Sequence, residues 1–387
     1  MPKSVYGTKR VGEQPFRIEV MQYFEDPNAT PDPITGEKIR IEERVFRKVA
    51  DLRYGTNPRQ TAAYYGPASL LGSLQELKTG KEGLSQTNLE DIFYALDTIK
   101  WFERPSAAIM KHENICGGAV QNNNEPLRQV YAKANGCDYQ AAFGGVVGFN
   151  TVVDKETADS IMQRLIEVVA APEFEEGVMD IFSTGEKNKN IRVVKFDAEY
   201  FRKLPKFVGD DFEPEMRIIG RTLIRYDPYL SGIKSAEDLM QYVVTERKPN
   251  EQELKDLLTA WRFCINLRSN ASVFVKDGYV RALGYGQPDR VTTIRLAVDK
   301  HKLLHKTLKG VNSEPNIDFS LDDSIIATDG FFPKLDGYIA AVGAGAGAII
   351  LPRGGLKTEQ DAILEKANLH GVSIVKLPEE ERCFSHH

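Results

Sequence analysis

A lysine and a histidine that stand side by side are the residues best suited to acid–base chemistry. Lys111 and His112 directly follow an apolar run, residues 106–110, that predicts a buried strand. In open α/β sheets, ligands collect at the carboxyl ends of strands, which is where this pair falls. Two adjacent positive charges repel, which favours the neutral imidazole that can act as a base. The pair therefore predicts a catalytic site, although such dipeptides also occur by chance on protein surfaces.

An arginine among turn-forming residues is a candidate for binding phosphate. Arg53, Tyr54 and Gly55 lie within the sequence LRYGTNPRQ at residues 52–60. A planar guanidinium can grip two phosphate oxygens, and the glycine lets a ligand approach the backbone. A solvated turn would use the same residue types, so both interpretations stay open.

Two further segments could contact a planar ligand. Glycines are concentrated in AFGGVVG at residues 142–148, which suits either close approach to a ligand or a tight buried turn. The segment TDGFFPKLDG at residues 328–337 places two aromatic rings between acidic and turn-forming residues. Such rings can stack on a heterocycle or fill the core.

Two motifs of other enzyme classes fail in their context. The run GAGAGA at residues 343–348 matches a dinucleotide fingerprint, but such a motif must follow a strand and open a helix, and here the predicted order is reversed. His112 and Glu113, with Cys116 and Cys137, hint at a zinc deaminase, yet its H-x-E and P-C-x-x-C spacings are missing. Neither NAD-dependent oxidoreduction nor a catalytic zinc is predicted.

The elements that must position these residues alternate between strands and helices, which is typical of an α/β fold with helices on both faces of a sheet. Residues 25–38 predict a loop, and residues 205–249 a small helical connector. Thr358 is a plausible helix start. The predicted strands are 106–110, 145–149, 167–171, 191–194, 273–276, 279–283, 325–327, 348–351 and 372–377, and the predicted helices include 127–134, 158–165 and 290–305.

Bulk composition narrows the class of protein. A chain of 387 residues exceeds what one core usually serves, so two lobes are expected. The net charge of -5 argues against a nucleic-acid partner. Four dispersed cysteines, a start without a secretory pattern and apolar runs too short to span a bilayer predict a cytoplasmic enzyme without disulfides or a membrane role.

Taken together, several segments resemble one family. In order they are LRYGTNPRQ at residue 52, KHENICGGA at 111, AFGGVVGFN at 142, RSNASVFVKDG at 268, GQPDR at 286, TDGFFPKLDG at 328 and the terminal RCFSHH. This order is similar to the transformylase half of the bifunctional purine enzyme that acts on AICAR (aminoimidazole carboxamide ribonucleotide). The similarity runs from about Leu52 to the terminus. Only 51 residues precede the LRYG motif, so we expect a stand-alone transformylase without the cyclohydrolase domain.

The resemblance implies a fold and an assembly. The expected fold is α/β, with two cytidine-deaminase-like lobes without zinc joined by a small helical segment. The corresponding division is an N-terminal extension at 1–50, a first lobe at 51–205, a connector at 206–255 and a second lobe at 256–387. The family also implies a homodimer with sites at the interface, and 10-formyltetrahydrofolate as the formyl donor.

The resemblance also implies roles residue by residue. His112 would take the proton of the attacking amine and Lys111 would stabilise the oxyanion, while Asn270 matches an essential asparagine. Because the AICAR amine is a weak nucleophile, orientation and a positioned base must supply most of the rate. Residues matching the AICAR site are Arg53, Tyr54, Gly55, Asn88, Phe331, Arg382 and His386. Residues matching the folate site are Arg290, Phe332, Pro333 and Asp336.

Departures from the family pattern fall mainly on the folate side. Ile115 replaces the proline of K-H-x-N-P-C-G, and Thr222 ends a segment that is usually G-G-L. Lys334 replaces an aromatic expected to pack on the folate, and Arg353 is inserted into a P-G-G turn. Lys334 and Arg353 could both bind the acidic tail of a polyglutamylated folate. A non-catalytic AICAR-binding homologue, or an enzyme using another formyl donor, are the alternatives; no phosphate-binding loop supports formate with ATP.

Overall fold

Strands and helices alternate along the computed structural model, which describes residues 18–385 except 26–27, 32, 35, 37, 67–68, 81, 185–187, 220–221 and 308–316. The described strands are β1 (Ile18–Glu25), β2 (Ile39–Leu52), β3 (Ala62–Gly66), β4 (Gln75–Lys78), β5 (Ser106–Lys111), β6 (Asn114–Val120), β7 (Val146–Phe149), β8 (Val168–Ala171), β9 (Arg192–Lys195), β10 (Glu215–Ile219), β11 (Thr222–Tyr226), β12 (Ser272–Lys276), β13 (Tyr279–Gly284), β14 (Ser324–Thr328), β15 (Ala346–Pro352) and β16 (Ser373–Leu377). The described α-helices are α1 (Gln86–Ile99), α2 (Leu127–Cys137), α3 (Tyr139–Ala142), α4 (Lys155–Met162), α5 (Val178–Thr184), α6 (Ala198–Arg202), α7 (Glu251–Ile265), α8 (Arg290–Thr307), α9 (Leu335–Gly343) and α10 (Lys357–His370).

Eleven strands form one mixed sheet in the order β16-β15-β14-β12-β13-β6-β5-β7-β8-β9-β4. The trios β14–β16 and β7–β9 are parallel, while the central strands pair antiparallel. The two halves of the sheet meet where Tyr279 of β13 pairs with Ala119 of β6. The predicted mixed α/β architecture is therefore confirmed.

Strand pairing determines which residues share an edge of this sheet. Lys111 at the end of β5 and Val146 at the start of β7 lie on one edge, because Met110 pairs with Val146. Ser272 pairs with both Gly284 and Thr328, which lie at that same end of the sheet. We call this the upper edge. The opposite edge, which carries Ser106, Val120 and Tyr279, is the lower edge.

The two faces of the sheet are covered differently. One face packs against α1 and α7, and its core is a single cluster that includes Met110 from the first half and Val273 from the second. The other face has two separate clusters, one under α2, α4 and α5 and one under α8, α9 and α10. Gly118 of β6 shows how closely α7 is packed, because a Cβ there would overlap the ring of Phe263. The continuous α1–α7 layer ties the halves together.

Most predicted elements are confirmed, and the departures have physical reasons. Asp277 and Gly278, with φ of 54° and 81°, form the expected hairpin turn, and residues 343–348 run from the end of α9 into β15. Helix α10 begins at Lys357 after Leu356, so the predicted start at Thr358 is one residue late and no side chain caps the helix.

Two segments contain strands that were not predicted from their sequence. Strands β1 and β2 pair antiparallel within the first 52 residues, where the sequence predicted a loop only for 25–38. The connector was expected to be helical, but β10 and β11 form a hairpin within it, which is followed by a 3₁₀ helix at Glu237–Tyr242. The helical expectation is wrong for Glu215–Tyr226.

Candidate active site

His112 and Glu113 form the two-residue turn that joins β5 to β6. Lys111 pairs with Asn114 across the hairpin, and the two turn residues have φ of 54° and 61°. The Asn114 side chain donates to the carbonyl of His112 at 2.7 Å. The predicted strand before this pair is confirmed. Because the strand enters an antiparallel hairpin, the rule for the carboxyl ends of parallel strands does not explain its position.

A buried carboxylate on α1 holds this turn. The side chain of Asp91, which is 3% exposed, accepts hydrogen bonds from the backbone N–H groups of His112 at 3.1 Å and Glu113 at 2.6 Å. Burial raises the pKa of Asp91 to about 7, against the lowering effect of these two hydrogen bonds. The main chain that carries the His112 imidazole is therefore anchored to the core.

The Lys111 ammonium is oriented by the glycine-rich segment at residues 142–148. Its Nζ donates to the carbonyl oxygen of Phe143 at 2.7 Å. Gly144, which follows with φ of 74°, adopts the left-handed conformation that this close turn requires. An ammonium has three protons, so two remain for other acceptors.

A second polar group lies on the same edge around Asn270, just before β12. Arg290 donates to Asn270 Oδ1 at 2.8 Å, to Asp329 Oδ1 at 2.8 Å and to the carbonyl of Phe331 at 2.9 Å. Asp329 is fully buried, and the Ser269 hydroxyl donates to its other oxygen. The Asn270 amide donates to the carbonyls of Gln287 and Pro288. Both ends of the Asn270 side chain are therefore fixed, and Arg290 is the central brace.

The two neighbouring phenylalanines lie in different environments. Phe332 is 1% exposed and packs in the core beneath α9. Phe331 is partly exposed, with the guanidinium carbon of Arg382 5.2 Å from its ring centroid. Gly354 and Gly355 pass against the Phe331 ring, and a Cβ at Gly354 would overlap it. Pro333 and Asp336, a few residues further along the chain, are exposed, and Asp336 accepts from the backbone N–H of Gly337 at 2.8 Å.

A third group surrounds the start of α1. Arg53 is 8% exposed, lies 3.8 Å from a Glu82 oxygen and stands over the Tyr54 ring at 5.2 Å. Gly55 closes the turn by donating to the Gln60 carbonyl at 3.0 Å.

Asn88 has a structural role at this helix start, in addition to any contact with a ligand. It forms a reciprocal capping pair with Ser85, and its Nδ2 donates to Glu167 Oε2 at 3.3 Å. Arg192, at the start of β9, lies 3.9 Å from the same carboxylate.

The structure brings these three groups to one edge without merging them. Asn270 precedes β12, and His112 follows β5. Two strands, β13 and β6, lie between β12 and β5, and neighbouring strands of a sheet are about 4.8 Å apart. His386 lies outside the described residues, but the Ser385 carbonyl accepts from the Ser269 N–H at 2.9 Å, so the described terminus runs beside Asn270.

Sequence reasoning missed Asp91, Asp329 and Glu167, the carboxylates that hold these groups in place. Asp329 belongs to the TDGFFPKLDG segment, but its burial between Ser269 and Arg290 has no local signature in the sequence. Asp91 lies two positions after Leu89 and directly before Ile92, both of them buried, on a helix that begins with a capping pattern. Its inward position could therefore have been inferred from helical spacing.

The described part of the chain has neither a metal-binding cluster nor a membrane-spanning helix. No group of three or more His, Cys, Asp or Glu side chains among these residues is arranged to hold a metal ion. Among the same residues, no helix is long and apolar enough to cross a membrane.

Comparison with known proteins places these residues in context. The sequence model of the family described as "AICARFT/IMPCHase bienzyme" matches residues 16–300. The bifunctional purine biosynthesis protein PurH of Magnetococcus marinus is 34% identical over 354 residues, which cover 90% of this chain and 60% of that protein. PurH of Clostridium botulinum is 33% identical over 336 residues, which cover 85% of this chain and 58% of that protein. The chain thus spans about 60% of the length of these curated relatives.

Proposed function

The chain belongs to the AICARFT/IMPCHase bienzyme family, and from this membership we propose that it is a formyltransferase of purine biosynthesis. Its reaction would transfer the formyl group of 10-formyltetrahydrofolate to the 5-amino group of AICAR, giving formyl-AICAR and tetrahydrofolate. The matched relatives carry names that state purine biosynthesis.

His112 is the proposed base. The amine nitrogen of AICAR forms a bond to the formyl carbon, and the imidazole takes the proton that this nitrogen loses. The bond between the formyl carbon and the folate nitrogen then breaks, and the proton passes to that nitrogen as tetrahydrofolate leaves. General base catalysis of this kind is worth about 10²–10⁴-fold, provided that the base is held in position. The hydrogen bonds from the His112 turn to Asp91 supply that positioning.

Lys111 is the proposed stabiliser of negative charge on the formyl oxygen. Its hydrogen bond to the Phe143 carbonyl fixes the ammonium and leaves two protons for the developing oxyanion. Asn270, fixed by Arg290, is proposed to complete this catalytic group.

The remaining residues are proposed to hold the two substrates. Arg53, Tyr54 and Gly55 follow β2 and lie next to the start of α1, which carries Asn88. Phe331 and Arg382 follow β14 and β16. We assign these six residues and His386 to AICAR. Arg290, Phe332, Pro333 and Asp336 are assigned to the folate. Since Phe332 is buried, we expect it to act by supporting the loop, whereas Pro333 and Asp336 are exposed.

The observation that best supports the proposal is that the proposed catalytic residues lie together at the upper edge of the sheet. Lys111 and His112 lie at the upper edge together with Asn270 and Phe331, although 157 or more residues separate His112 from either of the latter two in sequence. A chain that only bound a nucleotide would need the phosphate grip without an anchored base. This arrangement favours catalysis over a non-catalytic AICAR-binding role.

We also propose a homodimer of cytoplasmic transformylase chains, each with two cytidine-deaminase-like lobes and no catalytic metal. The β10–β11 hairpin supports the dimer, since Ile218 and Leu223 pair across it and are 67% and 48% exposed. The proposed boundaries are 1–50, 51–205, 206–255 and 256–387.

The test is an absorbance assay with purified protein, AICAR and 10-formyltetrahydrofolate. We expect tetrahydrofolate to appear only when both substrates are present. Binding of AICAR without any formyl transfer would favour either the non-catalytic role or another formyl donor. Another donor is an alternative because the exposed Lys334 and Arg353 depart from the family pattern at the proposed folate site.

A further inference from the structure

A cavity of about 460 Å³ lies far from the proposed active site. Its walls come from the loop between α1 and β5, from the connector and from α7. The lining residues are Trp101, Phe102, Glu103, Arg104, Lys206, Phe207, Lys234, Ser235, Ala236, Lys255, Leu258, Thr259 and Arg262. The α1–β5 loop ends at Ser106, on the lower edge, and the length of β5, about 20 Å, separates it from Lys111. We call this the basic cavity.

Positive charge dominates the basic cavity. Five of its lining side chains are cationic (Arg104, Lys206, Lys234, Lys255 and Arg262), and Glu103 is the one carboxylate among the described residues that line it. Lys255 also pairs with Glu251 at 2.6 Å on the exposed side of α7. Asp210 accepts the backbone N–H groups of Lys206 and Phe207 at 2.9 Å each, and its negative charge also attracts Lys206 and Lys234. The basic cavity and its immediate surroundings therefore have more positive than negative side chains.

The excess of positive charge and the burial in the basic cavity affect the pKa of Arg262. Burial lowers the pKa of its guanidinium to about 10, with Glu103 opposing and Arg104 reinforcing this effect. Its Nη2 donates to the carbonyl of Lys234 at 2.9 Å, while its Nε has no hydrogen-bond partner within the described chain. A partly buried cation is destabilised unless a negative group approaches it, so an anion in the cavity would relieve this cost.

An aromatic wall completes the cavity. The Trp101 and Phe207 rings meet edge to face with centroids 5.8 Å apart, and the Lys234 ammonium lies 5.8 Å from the Phe207 centroid. Trp101 is 4% exposed, and its indole N–H has no acceptor among the residues that the structure describes. Buried polar groups of this kind usually have a partner, which a ligand can supply.

We propose that the basic cavity binds a phosphate-bearing small molecule, at a site separate from that of formyl transfer. Its volume suits a small metabolite. Arginine forks and lysine point charges together match the geometry and the charge of a phosphate group, which carries about −1.5 to −2 at pH 7. The inference does not depend on the transformylase activity, because it rests on residues of the lower edge.

Occupancy of the basic cavity would also stabilise the fold. Trp101 belongs to the first half of the chain, Lys206 and Lys234 to the connector and Arg262 to α7, so one ligand would contact all three parts. A ligand that binds only the folded state raises the melting temperature as its concentration rises.

Isothermal titration with inorganic pyrophosphate at constant ionic strength tests the proposal. The variants are the charge reversal Lys206→Glu/Lys234→Glu and, as a charge-matched control, Lys203→Glu/Lys302→Glu, whose lysines are exposed and outside the cavity. An Arg53→Ala/Arg382→Ala variant removes the phosphate grip proposed for AICAR, so that any signal from that site is subtracted. Melting curves with and without pyrophosphate provide a second readout and show that each variant folds.

We expect wild type and the control pair to bind pyrophosphate alike, Arg53→Ala/Arg382→Ala to retain the binding that is due to the basic cavity, and all three to melt at a higher temperature with it. The Lys206→Glu/Lys234→Glu variant should bind at least tenfold more weakly. Absence of binding by the wild type would overturn the proposal. So would binding that the cavity variant retains within twofold, or binding that disappears in Arg53→Ala/Arg382→Ala alone.

Discussion

The Oδ2 atom of Asp91 lies 3.1 Å from the backbone nitrogen of His112, so a core carboxylate on α1 positions the main chain of the proposed base. The second oxygen of Asp91 accepts from Glu113, the other residue of the same turn. A side chain that never reaches the substrate can therefore govern where the imidazole points.

Asp91 should make stability depend on pH. Burial holds its pKa at about 7 in the folded state, whereas an aspartate in the unfolded chain titrates near pH 4. Between these values the folded state binds more protons, so the free energy of unfolding falls as pH rises through this window. We expect urea unfolding to show a loss of about 2–3 kcal/mol between pH 5 and pH 8. Asp91→Asn should lack this component, and a parallel decline in both proteins would contradict the assignment.

Gly354 should control the AICAR site through Phe331. An alanine at Gly354 would overlap the Phe331 ring and come close to Arg382, and its φ of 153° is unfavourable for alanine. We expect Gly354→Ala to weaken AICAR binding at least tenfold in titration calorimetry. Gly343→Ala is the matched control, because nothing lies within 4 Å of a Cβ there. Equal affinities of the two variants would argue against Phe331 as a contact of the nucleotide.

The Arg290–Asp329 pair should be important for folding as well as for the site. The two charges lie 2.8 Å apart with Asp329 fully buried, so removal of the carboxylate leaves Arg290 uncompensated. Asp329→Ala should cost about 3–5 kcal/mol in the free energy of unfolding. Asp329→Ala/Arg290→Met should recover part of that loss, since it removes both charges.

Glu199→Ala serves as the surface control for this measurement. It breaks the exposed Lys203–Glu199 pair, which should contribute little to stability because water screens both charges. If Asp329→Ala were no more destabilising than Glu199→Ala in urea unfolding, the pair would not be the brace that its geometry indicates.

Lys334 and Arg353 should favour folates with long acidic tails. Both residues are exposed beside the loop that carries Phe331. In Lys334→Ala/Arg353→Ala we expect weaker binding of polyglutamylated folate, with little change for the monoglutamate form, because only the tail loses its cations. Competition binding with the two folates measures this ratio, and Lys302→Ala provides an exposed control. An unchanged ratio would rule out the tail contact.

The sequence predicted the strands of the large sheet well because most of them are short apolar runs that are buried on both faces. It also located Lys111 and His112 correctly at the end of β5. Pairing across the sheet is not encoded locally, so the upper edge that joins His112 to Asn270 required the structure. The different positions of Phe331 and Phe332 likewise depend on Gly354 and α9, which lie elsewhere in the sequence.

Strands β1, β2, β3, β4, β6, β10 and β11 were not predicted from the sequence. Charged residues are frequent in β2, and β10 and β11 lie in a stretch of mixed charged and apolar residues without a clear alternating pattern. Asp91 was overlooked because its partners are backbone groups 21 and 22 residues away, which no side-chain motif reports.

The central claim is that His112 is the base of a formyl transfer to AICAR, and one comparison tests it most directly. Tetrahydrofolate formation from AICAR and 10-formyltetrahydrofolate is measured for wild type, His112→Ala and His370→Ala, the last being a histidine at the end of α10. We predict that wild type and His370→Ala turn over alike, while His112→Ala binds AICAR normally and is slower by about 10²–10⁴-fold. Turnover by His112→Ala within a few-fold of wild type would contradict the account.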